Sequence, residues 1–191
     1  MVKGNDSYQT DRILREYLLF HYGSEQEILS LGVGPRDALG FSVRSVQLLI
    51  DENSIPPNGR ALDLGCAVGR SSFELAKSCS QVLAIDKSSV FVDACEALRM
   101  SGELAFESVK QGETTRPLVA RIDDEVDRGR VRFAVGDACS LSEDLEPFDV
   151  VHAANLLCRL SDPRLLVARF PELVVPGGQL LLATPFTWVE E

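Results

Sequence analysis

The stretch "ALDLGCAVGRSSFELA", residues 61–76, passes from an apolar strand through a turn of small residues straight into a helix. No other segment constrains the fold as tightly, because a strand that becomes a helix within a few residues begins a parallel crossover. The rhythm continues downstream. "QVLAID" reads as a strand, "SSVFVDACEALRM" as a helix, and "VRFAVGDA" and "FDVVHAAN" as two further strands. "DPRLLVARFPELV" is a helix with Asp162 at its cap and Pro163 at the first helical position, and "GGQLLLATP" is a last strand. The strands are apolar nearly throughout, as expected where helices cover both faces of a sheet. The pattern predicts an α/β protein with a doubly wound, mostly parallel, Rossmann-like sheet.

Two regions stand apart from the alternation. Near the start, "YQTDRILREYLLFHYG" places Ile13, Leu14, Tyr17, Leu18 and His21 on one helical face, with Gly23 as the stop. "FSVRSVQLLIDEN" predicts a second helix, ended by the turn "IPPNG". Residues 102–130 are too long for a simple connection. They predict an extra strand or turn, then a helix with Leu118, Val119, Ile122 and Val126 facing inward, used either as a lid or as a decorated surface loop. The chain therefore reads as one domain over 1–191: an N-terminal helical cap at 1–58 and a ligand-binding core at 59–191 carrying the insert 102–130.

Composition narrows the partners. A formal charge of −10, with no Lys/Arg cluster, argues against a nucleic-acid partner, which needs a basic face to displace counterions. No run of eighteen apolar residues occurs, so no membrane span is expected, and "MVKGNDSYQT" lacks the apolar core of a signal peptide. Cys66, Cys79, Cys95, Cys139 and Cys158 are scattered singly, with no CxxC, and only two histidines exist. These are expected as reduced thiols of a cytoplasmic protein, and no metal site is expected.

In a doubly wound sheet, ligands sit beyond the carboxyl ends of the strands. A dinucleotide fingerprint needs Gly-x-Gly-x-x-Gly, but the small residues here are Gly65, Ala67 and Gly69, and Arg70 stands where the third glycine belongs. That disfavours a nicotinamide oxidoreductase. No lysine follows that could meet a triphosphate. The pattern, an acid at Asp63 followed by small-x-small-x-small, resembles the first motif of class I S-adenosylmethionine-dependent methyltransferases, with alanine in place of the middle glycine.

That resemblance assigns roles to the landmarks that follow. Gly65, Cys66, Ala67 and Gly69 let backbone groups approach the methionine part of S-adenosylmethionine. Asp63 suits a cationic ligand, directly or through the turn's amides. Asp86, with Lys87 beside it, ends the second strand about twenty residues after the first glycine, where a carboxylate accepts ribose hydroxyls. Asp137 and Ala138 in "GDA" face the adenine, and Asn155 ends the fourth strand beside the transferred methyl. Each aspartate also has a plain use as a cap or turn residue.

Further strings narrow the resemblance. "YLLFHYG", "FSVRSVQLL", "DLGCAVGRSSFELA", "GDACSL", "HAANLLCRLSDPR" and "TPFTWVEE" together look like the methyltransferase domain of ovothiol biosynthesis, the 4-mercaptohistidine N-methyltransferase. The resemblance implies methyl transfer to an imidazole nitrogen of 5-thiohistidine, giving ovothiol A and S-adenosylhomocysteine, with a sulfoxide synthase as partner. Domains of that family continue past the fifth strand, whereas this chain stops at Glu191. The sheet is expected to end after that strand, leaving an edge at which a second copy can pair as a homodimer.

Asn155 is the candidate catalytic residue: it either holds the ring tautomer or caps the strand end. Arg44 and Arg70 are candidates for the amino-acid carboxylate, because guanidinium grips it bidentately. Tyr17, His21 and Tyr22 are candidates for a lid, and Phe186 and Trp188 for a wall of the substrate pocket; core packing is the alternative for His21, Phe186 and Trp188. Two other functions stay open: another small-molecule N-, O- or S-methyltransferase, and a non-catalytic cofactor-binding subunit.

Overall fold

The computed structural model describes residues 6–111, 114–185 and 187. Its centre is a five-stranded sheet in which every pairing is parallel. The strands are β1 (Arg60–Leu64), β2 (Gln81–Asp86), β5 (Val131–Val135), β6 (Phe148–Ala154) and β7 (Val174–Ala183), in spatial order β5-β2-β1-β6-β7. The order reverses at β1, so the crevice for a ligand opens where β1 and β6 diverge at their carboxyl ends. Helices α4 (Arg70–Ser78), α5 (Ser89–Ser101) and α6 (Pro163–Leu173) make the crossovers, and α1 (Asp11–Tyr22), α2 (Glu25–Ile28) and α3 (Phe41–Gln47) form the N-terminal cap.

The period of two along each strand divides the core into two layers. Ala61, Val82, Ala84 and Val150 point to the side of α1, α3, α4 and α5, packing on Leu18, Val46, Phe73, Leu75, Phe91 and Leu98. Leu62, Leu64, Ile85, Val151 and Ala153 point to the other side, against Leu166, Phe170 and Leu173 of α6. Asp63 and His152 are register partners on β1 and β6, and both fall on the cap side. This alternation places two polar groups among the apolar strand residues of that layer.

Caps set the helix ends, with Gly23, Asp162 and Pro163 where the sequence predicts them. The Thr10 hydroxyl accepts from the Ile13 amide at the start of α1, and Gly23 closes that helix. The Asp162 carboxylate accepts from the Arg164 amide and Pro163 opens α6. The second predicted helix is shorter than its apolar pattern: α3 ends at Gln47, and Leu48 and Leu49 lie exposed in a turn.

The insert corrects an expectation. Its predicted helix is absent; residues Glu103–Gln111 (β3) pair antiparallel with Thr114–Arg121 (β4) as a separate hairpin. Leu118 and Ala120 turn inward while Val119 is 39% exposed, so the real period is two. The spacing of Leu118, Ile122 and Val126 imitated a helix because Ile122 and Val126 are buried from the loop that follows the hairpin. Pro117 is compatible with a two-stranded ribbon, where a missing donor costs little at an edge.

The second layer makes a direct test. Leu166→Ala empties a fully enclosed site and is expected to cost about 2–5 kcal/mol in urea unfolding. Val167→Ala, on the exposed side of the same helix, is expected to change stability by no more than about 0.5 kcal/mol.

Candidate functional site

The turn from β1 to α4 carries three left-handed residues, Gly65 at φ 68°, Ala67 at φ 49° and Gly69 at φ 80°. Glycine adopts such angles freely, and a Cβ at Gly65 would stand 2.9 Å from Leu156 Cδ1. At Gly69 a Cβ would meet the Phe133 ring and Cys95 Sγ at 3.0 Å. Ala67 bears the left-handed strain itself, and its amide donates to Asp86 Oδ2 at 2.9 Å, which holds it there. The Gly65 amide donates to the Ile85 carbonyl, so the turn is stitched to the end of β2.

Asp86 completes that corner. Its other oxygen accepts from the Ser88 amide at 2.8 Å, and burial raises its carboxyl above the ordinary value against the pull of those amides. Lys87 and Asp137 meet at 2.8 Å across the carboxyl ends of β2 and β5. Burial opposes ionisation of Asp137, but the Lys87 ammonium and the Cys139 amide hold its carboxyl below the ordinary value. Ala138 is buried in the α6 layer, and Cys66 lies inside beneath the turn.

Asp63 has a different place from the crevice residues. It is 1% exposed, and its oxygens are taken by Ser71 Oγ at 2.8 Å, Ser72 Oγ at 2.6 Å and His152 Nδ1 at 2.7 Å. It serves the turn from behind, through the first turn of α4. The sequence reading missed these partners. One signal was available: His152 interrupts the apolar run of β6 on a face otherwise buried, and a buried imidazole requires partners.

The cap roofs the crevice. The Tyr8 carbonyl accepts from Ser88 Oγ at 2.7 Å, and the Tyr8 ring meets Phe91 and Tyr17 edge-on. Tyr17 packs on Phe91 at 4.8 Å and stacks on His21 at 5.6 Å. Burial, together with Tyr8, pushes the Tyr17 hydroxyl well above its ordinary value. Tyr22 donates to the Val68 carbonyl at 2.8 Å, which ties α1 to the glycine turn.

Other predicted substrate residues scatter. Arg44 lies in the cap, where one terminal nitrogen donates to the Asp37 carbonyl and its buried Nε has no hydrogen-bond partner. Arg70 lies over the Tyr22 ring and 3.4 Å from Asp123, which directs it toward the loop after the hairpin. Asn155, left-handed at φ 56°, sits exposed at the end of β6, its amide donating to the Ala183 carbonyl. Phe186 and Trp188 lie outside the described residues. Among the described residues no three His, Cys, Asp or Glu side chains gather as a metal site, and no helix is long and apolar enough to cross a membrane.

His21 is pushed down to about 4 by burial, with Arg70 adding to the effect and Asp63 opposing it. An unfolded histidine titrates near 6.5, so below that pH the unfolded chain takes up a proton that the folded one refuses. The stability from neutral His21 is complete above about pH 6.5 and is lost as pH falls toward about 4, on the order of 3 kcal/mol in all. Urea melts between about pH 4.5 and 7 should show that slope, and His21→Gln should flatten it.

Comparison with known proteins agrees with this geometry. The family model described as "Methyltransferase domain" matches residues 62–180. The ubiquinone biosynthesis O-methyltransferase of Coxiella burnetii (strain RSA 493 / Nine Mile phase I) is 25% identical over 143 residues, 74% of this chain and 50% of that protein. The chain thus spans about half the length of the curated relatives it matches. Among solved structures, the YcgJ protein from Bacillus subtilis superposes with a TM-score of 0.54 at 19% identity, over 73% of this chain and 49% of that one. The glycopeptide N-methyltransferase MtfA, solved with S-adenosyl-L-methionine, superposes with a TM-score of 0.52 at 21% identity, over 74% and 53%. These likenesses carry the fold, and the matched span runs from β1 through the glycine turn to β7; the chain belongs to the methyltransferase-domain family.

Proposed function

We propose that the chain binds S-adenosylmethionine and directs its methyl group to a small-molecule acceptor, a ring nitrogen of 5-thiohistidine. The observation that carries the cofactor reading is the left-handed Gly65–Ala67–Gly69 turn locked to Asp86. The residues fit such a group. The turn keeps Gly65 and Ala67 partly exposed over the end of β1, Asp86 lies at the end of β2 where a ribose would lie, and Asp137 and Ala138 follow β5. When bound, S-adenosylmethionine supplies an electrophilic methyl group on a sulfonium.

The roof supports the acceptor class. Tyr17 is held protonated, and burial pushes His21 down to about 4, so neither is a good proton acceptor near neutrality. A neutral imidazole nitrogen brings its own lone pair and needs alignment and exclusion of water more than a base. Asn155, exposed at the end of β6, would hold the ring by a hydrogen bond. The resemblance to the ovothiol methyltransferase domain supports thiohistidine in particular. O-methylation of a small molecule is the second reading, favoured by the name of the Coxiella burnetii relatives.

Two experiments test this function. Asp86→Ala should weaken S-adenosylmethionine binding by about 1.5–3 kcal/mol in calorimetry, the scale of charged hydrogen bonds. Incubation with S-adenosylmethionine and 5-thiohistidine, histidine or a catechol should give a ring N-methyl product from thiohistidine, located by proton NMR. Histidine should react at least ~100-fold more slowly, about 2.7 kcal/mol of barrier. Methyl on sulfur, equal rates with histidine, or a faster catechol would overturn the acceptor assignment.

A further inference from the structure

Buried polar side chains join the cap to the cofactor turn through the middle of the domain. On the β1 side, His152 Nδ1 lies 2.7 Å from Asp63 Oδ1, and Asp63 Oδ2 accepts from Ser71 and Ser72 in the first turn of α4. On the cap side, His152 Nε2 lies 3.0 Å from Ser45 Oγ of α3. Ser45 Oγ is also 3.0 Å from the Ser42 carbonyl, and Ser42 Oγ is 3.0 Å from Nδ1 of His21 on α1. With its proton on Nδ1, His152 donates to Asp63, and the single Ser45 hydroxyl proton is shared between Nε2 and the Ser42 carbonyl.

The order serine–histidine–aspartate matches that of hydrolytic triads. A nucleophilic role does not follow, because Ser45 is 6% exposed and faces His152, which is 2% exposed. Nor is this a continuous path for protons: the link from Ser45 to Ser42 runs through the backbone carbonyl of Ser42, not its hydroxyl. What remains is mechanical. A buried imidazole that loses either partner leaves a polar atom stranded, so both ends must be in place together.

We propose that His152 is a positioning residue that couples the seating of α1 and α3 to the set of the cofactor turn. The cap end of the chain reaches His21, whose ring stacks on Tyr17 in the roof. The other end fixes the first turn of α4, directly after Gly69. An acceptor that orders the roof therefore tightens the grip on the cofactor, and the converse holds by reciprocity. The inference rests on the cofactor reading for what the turn holds, but not for the coupling itself.

Binding of S-adenosylhomocysteine, measured by calorimetry, tests it. Ser45 is on the cap side of His152, yet Ser45→Ala should weaken binding by about fivefold or more. His152→Asn keeps a donor beside Asp63 and drops the bond to Ser45. In that background Ser45→Ala should change affinity by less than about twofold. An unchanged affinity for Ser45→Ala, or an effect of the same size in both backgrounds, overturns the coupling. Hydrogen exchange on the ligand-free protein gives a second readout. Ser45→Ala should loosen the amides of α3 and of the first turn of α4 together, and Ser72→Ala should do the same from the other end; loosening confined to the mutated element overturns the proposal. If the wild-type protein binds no S-adenosylhomocysteine, the cofactor reading fails, and the exchange measurements still decide the coupling.

Discussion

The carboxyl group of Asp63 is the point on which the domain is assembled. It lies at the level of the sheet where β1 meets β6, out of water, and it is tolerable there only because Ser71, Ser72 and His152 all reach it. Each partner belongs to a different consequence. The two serines set the first turn of α4 and so the angle at which the glycine turn leaves β1. The histidine fixes β6 against β1 and, through Ser45, seats the cap. A polar group buried at this position trades stability for a specific register, because an apolar pair would pack without dictating where α3 must lie.

Above that floor, the crevice separates its tasks by environment. The turn of Gly65, Ala67 and Gly69 offers backbone, and the ends of β2 and β5 offer carboxylates on its rim. The roof of Tyr8, Tyr17, His21 and Phe91 is aromatic, and burial keeps Tyr17 and His21 uncharged. A cationic donor beneath and an uncharged roof above suit displacement by a nucleophile that arrives with its lone pair free. The strain accepted at Ala67, where glycine would cost nothing, is held by the same Asp86 that lies where the ribose is expected.

Much of this was legible in the order of residues. The alternation of apolar strands with capped helices declared the doubly wound sheet, and the small-x-small-x-small turn with Asp86 twenty-odd residues on marked the crevice. The hairpin was hidden because Ile122 and Val126, buried from a loop, completed a helical spacing that Leu118 began. Arg44 and Arg70 looked free in sequence, since nothing local reveals that the Asp37 carbonyl or the Tyr22 ring and Asp123 will occupy them. The network around Asp63 was hidden for the same reason, with His152 in the apolar run of β6 as its local hint. Its members come from positions 42, 45, 63, 71, 72 and 152, and only the pairing of β1 with β6 brings them together.

The central claim is that the β1–α4 turn and the end of β2 form one cofactor site. A crystal structure with S-adenosylhomocysteine tests it most directly. The amino-acid end of the ligand is expected along Gly65–Gly69, the ribose hydroxyls on Asp86, and the sulfur facing Asn155 beneath Tyr17 and His21. Density for the ligand away from that turn, or a ribose that leaves Asp86 bonded only to the Ala67 and Ser88 amides, would contradict it.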